Sequence, residues 1–135
     1  MRKDIIIPKV TNVFIVAIQE WSEDFEENCW YAYLLNATSK PLEMVLIVSK
    51  AYGLINGETR NTMQLRHAFA TVEPQTAVKI EFLENNVLQL NNEFMLTYFM
   101  DNKMFDKKFI FKTNSININA QTDLPIIQKR GVMAV

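Results

Sequence analysis

His67 is the only histidine and Cys29 the only cysteine in the chain. A histidine triad and a zinc site with several histidines are therefore excluded, and a nucleophilic Cys-His pair would require these two residues to meet in space. Cys29 precedes Trp30 and Tyr31, aromatic surroundings that suit a buried thiol rather than a reactive thiolate. His67 shares a face with Met63, Leu65 and Phe69, alternating with Thr62, Gln64, Arg66 and Ala68, and reads as a half-exposed strand residue whose ring nitrogens find water or a carboxylate. Glu23, Asp24, Glu26 and Glu27 crowd around Phe25. A calcium loop needs ligands at fixed alternate positions and a glycine for its sharp turn, so this stretch reads as a solvated acidic loop. Gly53, Gly57 and Gly131 are the only glycines, and none lies in a phosphate-binding pattern. No catalytic, cofactor-binding or metal-ligating residue is expected, and the chain reads as a non-enzyme without a cofactor.

Arg60, Arg66, Lys107, Lys108, Lys129 and Arg130 could form a basic face, with Tyr98 and Phe105 as stacking surfaces for single-stranded nucleic acid. The 14 Lys and Arg are balanced by 15 Asp and Glu, for a net charge of −1. That balance gives no general attraction to nucleic acid or an anionic membrane, and neither is an expected partner.

The elements that would carry these residues are strands. Asn28 to Tyr52 holds two aromatic and β-branched runs around the polar break Asn36 to Pro41, which predicts two antiparallel strands joined by a hairpin. Cys29, Tyr31, Tyr33 and Leu35 share one face of the first run, and Trp30, Ala32 and Leu34 the other. Val10 to Trp21 is an earlier strand, with Val13, Ile15 and Ala17 opposite Phe14, Val16 and Ile18; Ile5 to Ile7 could add a short edge strand before Pro8. Asn56-Gly57 marks a tight turn, followed by a strand from Arg60 to Ala70. Thr76 to Phe82 alternates, with Val78, Ile80 and Phe82 inward and Lys79 and Glu81 outward. Leu83 to Asn92 fits a short helix or an irregular crossing. Glu93 to Met100 and Lys103 to Phe111 form a hairpin about Asp101-Asn102, and a terminal strand is expected beside Gly131.

With an apolar fraction of 49%, the 135 residues suit a single domain, 1-135. About seven to nine strands without a long helix predict an all-β, immunoglobulin-like antiparallel β-sandwich, with a closed barrel as the alternative. The apolar run near the N-terminus is three residues long and stops at Pro8, and no stretch approaches bilayer length. The expectation is a soluble, cytoplasmic protein, and one cysteine cannot form an intrachain disulfide.

Trp30-Tyr-Ala-Tyr-Leu-Leu-Asn, Leu42-Glu-Met-Val-Leu-Ile-Val-Ser-Lys, Leu90-Asn-Asn-Glu-Phe, Asp101-Asn-Lys-Met-Phe and Lys129-Arg-Gly-Val together span most of the chain. Across these runs it resembles a family of small uncharacterised bacterial β-sandwich proteins often labelled as a phenylalanyl-tRNA synthetase subunit. A class II synthetase core is far longer, with an ATP-binding sheet and arginine motifs. The resemblance therefore implies a family and no aminoacylation residues.

The first strand, the Trp30 strand and the Phe94 strand look apolar on both faces, whereas a two-sheet sandwich has one interior. Their outer faces need a cover: a partner protein, a second copy of the chain, or the chain's own segments Met1 to Lys9 and Ser115 to Val135. The predicted function is a protein-interaction module that binds a partner protein or itself as a homodimer. The alternative is a small-ligand-binding or accessory domain associated with a nucleic-acid-related enzyme.

Overall fold

The computed structural model describes residues 8–135. The short strand expected at Ile5 to Ile7 lies outside them. Among the described residues ten strands run in the order β1 (Val13–Ser22), β2 (Glu27–Asn36), β3 (Leu42–Ile55), β4 (Glu58–Asn61), β5 (Leu65–Val72), β6 (Thr76–Leu83), β7 (Asn91–Met100), β8 (Lys103–Phe111), β9 (Thr122–Asp123) and β10 (Arg130–Met133). The first sheet is ordered β6-β2-β1-β10-β9. The second is ordered β4-β3-β7-β8, and β5 continues the β4 edge by pairing with β3. Both sheets are open and antiparallel, so the fold is an all-β sandwich and not a barrel. The chain crosses from β2 to β3, returns from β5 to β6 beside β2, and crosses again to β7 beside β3. This Greek-key path is immunoglobulin-like.

The expected β2–β3 hairpin does not form. Each run is an inner strand of a different sheet, and residues 37–41 carry the chain across. Asn36, fully buried, organises the crossing. Its Nδ2 donates to the carbonyls of Lys40, Val72 and Glu73, and its Oδ1 accepts from the Thr38 amide and hydroxyl. Hairpins form where turn chemistry dictates. Asn56 and Gly57 have φ of 53° and 78°, and Asp101 and Asn102 of 52° and 61°, as type I′ turns require. The strand expected from Arg60 to Ala70 is broken at 62–64 into β4 and β5.

Val13, Ile15, Ala17, Trp30, Ala32 and Leu34 face Leu42, Val45, Ile47, Phe94, Leu96 and Phe109 across one core. Tyr98 stacks on Phe105 with centroids 5.1 Å apart. Burial alone pushes the Tyr98 hydroxyl up to about 12, so it stays neutral within the core.

A second apolar cluster lies on the outside of the first sheet. Val16, Ile18 and Leu35 are covered there by Leu124, Ile126 and Ile127, so the C-terminal stretch packs over β1 and β2. Beyond β10, the Ala134 amide donates to the Ile15 carbonyl, and Val135 and Ile110 exchange two backbone hydrogen bonds. These bonds close the β8 side of the sandwich. The opposite side, between β5 and β6, stays partly open.

Candidate functional site

β6 carries a bulge where its register against β2 shifts between Ala32 and Tyr33. Lys79 lies opposite Tyr33 and Glu81 opposite Ala32, which leaves Ile80 as the extra residue. A bulge breaks strict alternation and re-aims the side chains beyond it. Glu81 therefore turns inward and Phe82 outward, the reverse of the alternation expected from sequence. Phe82 packs against Phe25 and Tyr31 at centroid distances of 5.2 and 5.6 Å.

The inward Glu81 bridges the two sheets. Its Oε1 accepts from the Ser49 hydroxyl on β3 at 2.6 Å and meets His67 Nε2 on β5 at 2.8 Å. The Glu81 side chain is only 13% exposed. The imidazole and the hydroxyl both address one carboxylate oxygen, so the three do not form the serine–imidazole relay of a hydrolase. The arrangement is a carboxylate held by two donors.

Because β5 begins only at Leu65, the second sheet has no strand opposite the last residues of β6, and a cleft of about 440 Å³ opens there. That volume falls within the range of small-molecule sites. Ser49, Glu81, Glu84 and Asn92 supply polar groups, and Leu65, Val87 and Phe94 supply apolar walls. Met63, 85% exposed, stands at the mouth.

The outer face of the second sheet is the other candidate surface. Registers place Leu46 beside Ala68 and Thr97, Val48 beside Arg66 and Met95, and Phe99 beside Met104. Leu46 is 39%, Met95 36% and Met104 53% exposed. Lys50 and Lys108 flank Glu93, each 3.8 Å from its carboxylate. Near the start of β3 a second bulge holds Met44 at φ 50° and 71% exposed. Among the described residues nothing covers this face.

The residues singled out from the sequence are dispersed. Cys29 is buried on the outer side of the first sheet and His67 faces inward from the second, so they do not meet. Tyr98 and Phe105 are buried and offer no stacking platform. Arg60 pairs with Glu58, and Arg130 donates to the Gln121 carbonyl. The acidic residues 23–27 lie at the β1–β2 turn. Among the described residues no group of three or more His, Cys, Asp or Glu could hold a metal ion. No helix among them is long and apolar enough to cross a membrane. Sequence reasoning does not single out Ser49 or Glu81. Ser49 looks like any strand residue, and a bulge leaves no local signal in Lys79-Ile80-Glu81-Phe82.

A further polar cluster secures the C-terminal stretch. Glu20 accepts from the Tyr33 hydroxyl at 2.6 Å and pairs with Lys79 at 3.0 Å and Lys129 at 3.5 Å. Burial acts to raise the Glu20 carboxyl, but the hydrogen bonds from Tyr33 and Lys79 and the charges of Lys79 and Lys129 hold it below its ordinary value. A carboxylate depressed in the folded state stabilises the fold above its unfolded pKa and loses that contribution as pH falls through its folded value. Wild type should therefore melt higher than Glu20→Gln at neutral pH, and the gap should close as the pH is lowered through the carboxylate range. Thermal melts across that range check this, and a gap constant with pH would show that Glu20 acts through packing alone.

No protein-family model matches the chain, and no curated protein matches it.

Proposed function

We propose that this protein is a non-enzymatic interaction module that pairs with a second copy of itself through the outer face of the second sheet. The observation that carries this reading is an asymmetry. Among the described residues, Leu124, Ile126 and Ile127 cover the outer face of β1 and β2, whereas Leu46, Met95 and Met104 stay exposed. Contiguous apolar surface on a sheet face marks an interaction site. Met44 adds support, since a non-glycine residue at positive φ costs roughly 1–3 kcal/mol and its side chain gains little packing within one copy.

A second copy is the simplest occupant, because it brings the same apolar patch to the contact. A two-fold interface needs only one self-complementary surface, burying about 800 Å² per partner. The buried, unbridged Cys29 needs no oxidising compartment, which fits a cytoplasmic setting.

Sedimentation equilibrium at micromolar concentration tests the pairing. Wild type should show a monomer–dimer equilibrium, and the double variant Leu46→Lys, Met95→Lys should be monomeric at every concentration. Both substituted residues are partly solvated, so at concentrations where wild type is monomeric the denaturation midpoint should barely move, whereas at dimer-forming concentrations wild type gains the stability of association. A monomeric wild type, or a variant that still dimerises, would overturn the reading.

A further inference from the structure

Turning Glu81 into the sandwich has a cost, because a largely buried carboxylate must be compensated by hydrogen bonds or charge. The compensation is one-sided. Ser49 and His67 both address Oε1, and Oε2 has no protein partner among the described residues. The carboxylate of Glu84, also on the cleft wall, has no hydrogen-bond or ion-pair partner among the described residues either, only its backbone carbonyl accepting from the Val87 amide. Lys50 also lines the cleft, but its ammonium is turned to the outer face, 3.8 Å from Glu93 and 5.9 Å from the centre of the Tyr52 ring. Among the described residues the cleft thus presents acceptors and negative charge with no lysine or arginine ammonium or guanidinium shown paired to them. Leu65, 48% exposed, and Met63 leave apolar surface uncovered beside those acceptors.

We propose that this cleft binds a small organic cation, a primary ammonium on a compact apolar body. The ammonium donates to Glu81 Oε2 with Glu84 nearby, and the apolar body lies against Leu65, Val87 and Phe94. Ser49 and His67 act as positioning residues that hold the carboxylate in place. The site is separate from the self-pairing face, being lined by the inner side of β3 and by β6, and either can hold without the other.

His67 is the only histidine, so its ring C–H resonances form a single resolvable set. The test is an NMR titration of the full chain with benzylammonium, and with benzyl alcohol and benzoate as neutral and anionic counterparts. Benzylammonium should shift the His67 resonances saturably, with a dissociation constant of about 1 mM or tighter. Benzyl alcohol should bind at least about tenfold more weakly, and benzoate should produce no saturable shift. Glu81→Gln keeps an oxygen for Ser49 and His67 but removes the charge, and should weaken benzylammonium about tenfold or more. Leu65→Trp, which fills the mouth and leaves the three polar residues intact, should abolish the shift. Absence of a saturable shift, equal affinity for benzyl alcohol, or preference for benzoate would overturn the proposal. So would unaltered binding to both variants.

Discussion

Trp30→Ala is expected to cost about 3–5 kcal/mol, the usual range for removing a buried aromatic side chain. Trp30 is 6% exposed and faces the core from β2, an inner strand flanked on both sides. Its neighbours in register are Gln19 on β1 and Leu83 on β6. Both neighbouring strands are fixed by backbone ladders, so the surroundings cannot collapse into the space left behind. Chemical denaturation should show a lower midpoint with an unchanged slope, because the surface exposed on unfolding stays nearly the same. A midpoint equal to that of wild type would show that Trp30 is peripheral to stability.

Gly131→Ala is the second large effect. A Cβ at this position would stand 2.5 Å from the Ala17 carbonyl oxygen and 2.9 Å from Leu124 Cδ1. Ala17 belongs to β1, the middle strand of its sheet, so its carbonyl cannot retreat. Glycine is thus required for close approach of two backbones, with no left-handed conformation involved. Relief must come from β10 moving away from β1. The expected cost is about 1–3 kcal/mol, the range for overpacking. The loss should be local as well as global. Hydrogen exchange should quicken at Val132 and Ala134, and on β1 where it faces β10, while β3 and β7 keep their protection relative to the new global stability. Unchanged exchange and an unchanged midpoint would mean that β10 accommodates the methyl group without separating from β1.

Several readings that depend only on residues close in sequence agree with the structure, although the local alternation of β6 is overturned by its bulge and the strand from Arg60 is interrupted. The alternate faces of β1 and β2, the Asn56-Gly57 turn and the β7–β8 hairpin follow from period-2 patterning and from residues that tolerate positive φ. The β2–β3 connection depends on distant groups, and there the expected hairpin is wrong. Ala37 to Pro41 looks alike whether the chain reverses within a sheet or crosses between two. What decides is Asn36 reaching the carbonyls of Val72 and Glu73. The Ser49, His67 and Glu81 cluster is illegible in the sequence for the same reason. It needs the extra residue in β6 and the juxtaposition of three strands from two sheets, and neither leaves a trace in local pattern. The surplus of apolar faces is legible, and the described residues divide it into one face that they cover and one that they leave open.

Self-pairing through that open face is tested most directly by isotope-filtered NOE spectroscopy on a mixture of methionine-methyl-labelled and unlabelled wild-type protein. Met95 and Met104 lie on the face, whereas Met63 stands at the cleft mouth away from it. Self-pairing predicts intermolecular NOEs from the Met95 and Met104 methyl groups to Leu46 and Val48 of the other copy, and none from Met63. A mixture with no intermolecular NOEs at concentrations where sedimentation detects dimer, or with NOEs from Met63 and none from Met95 and Met104, would contradict it.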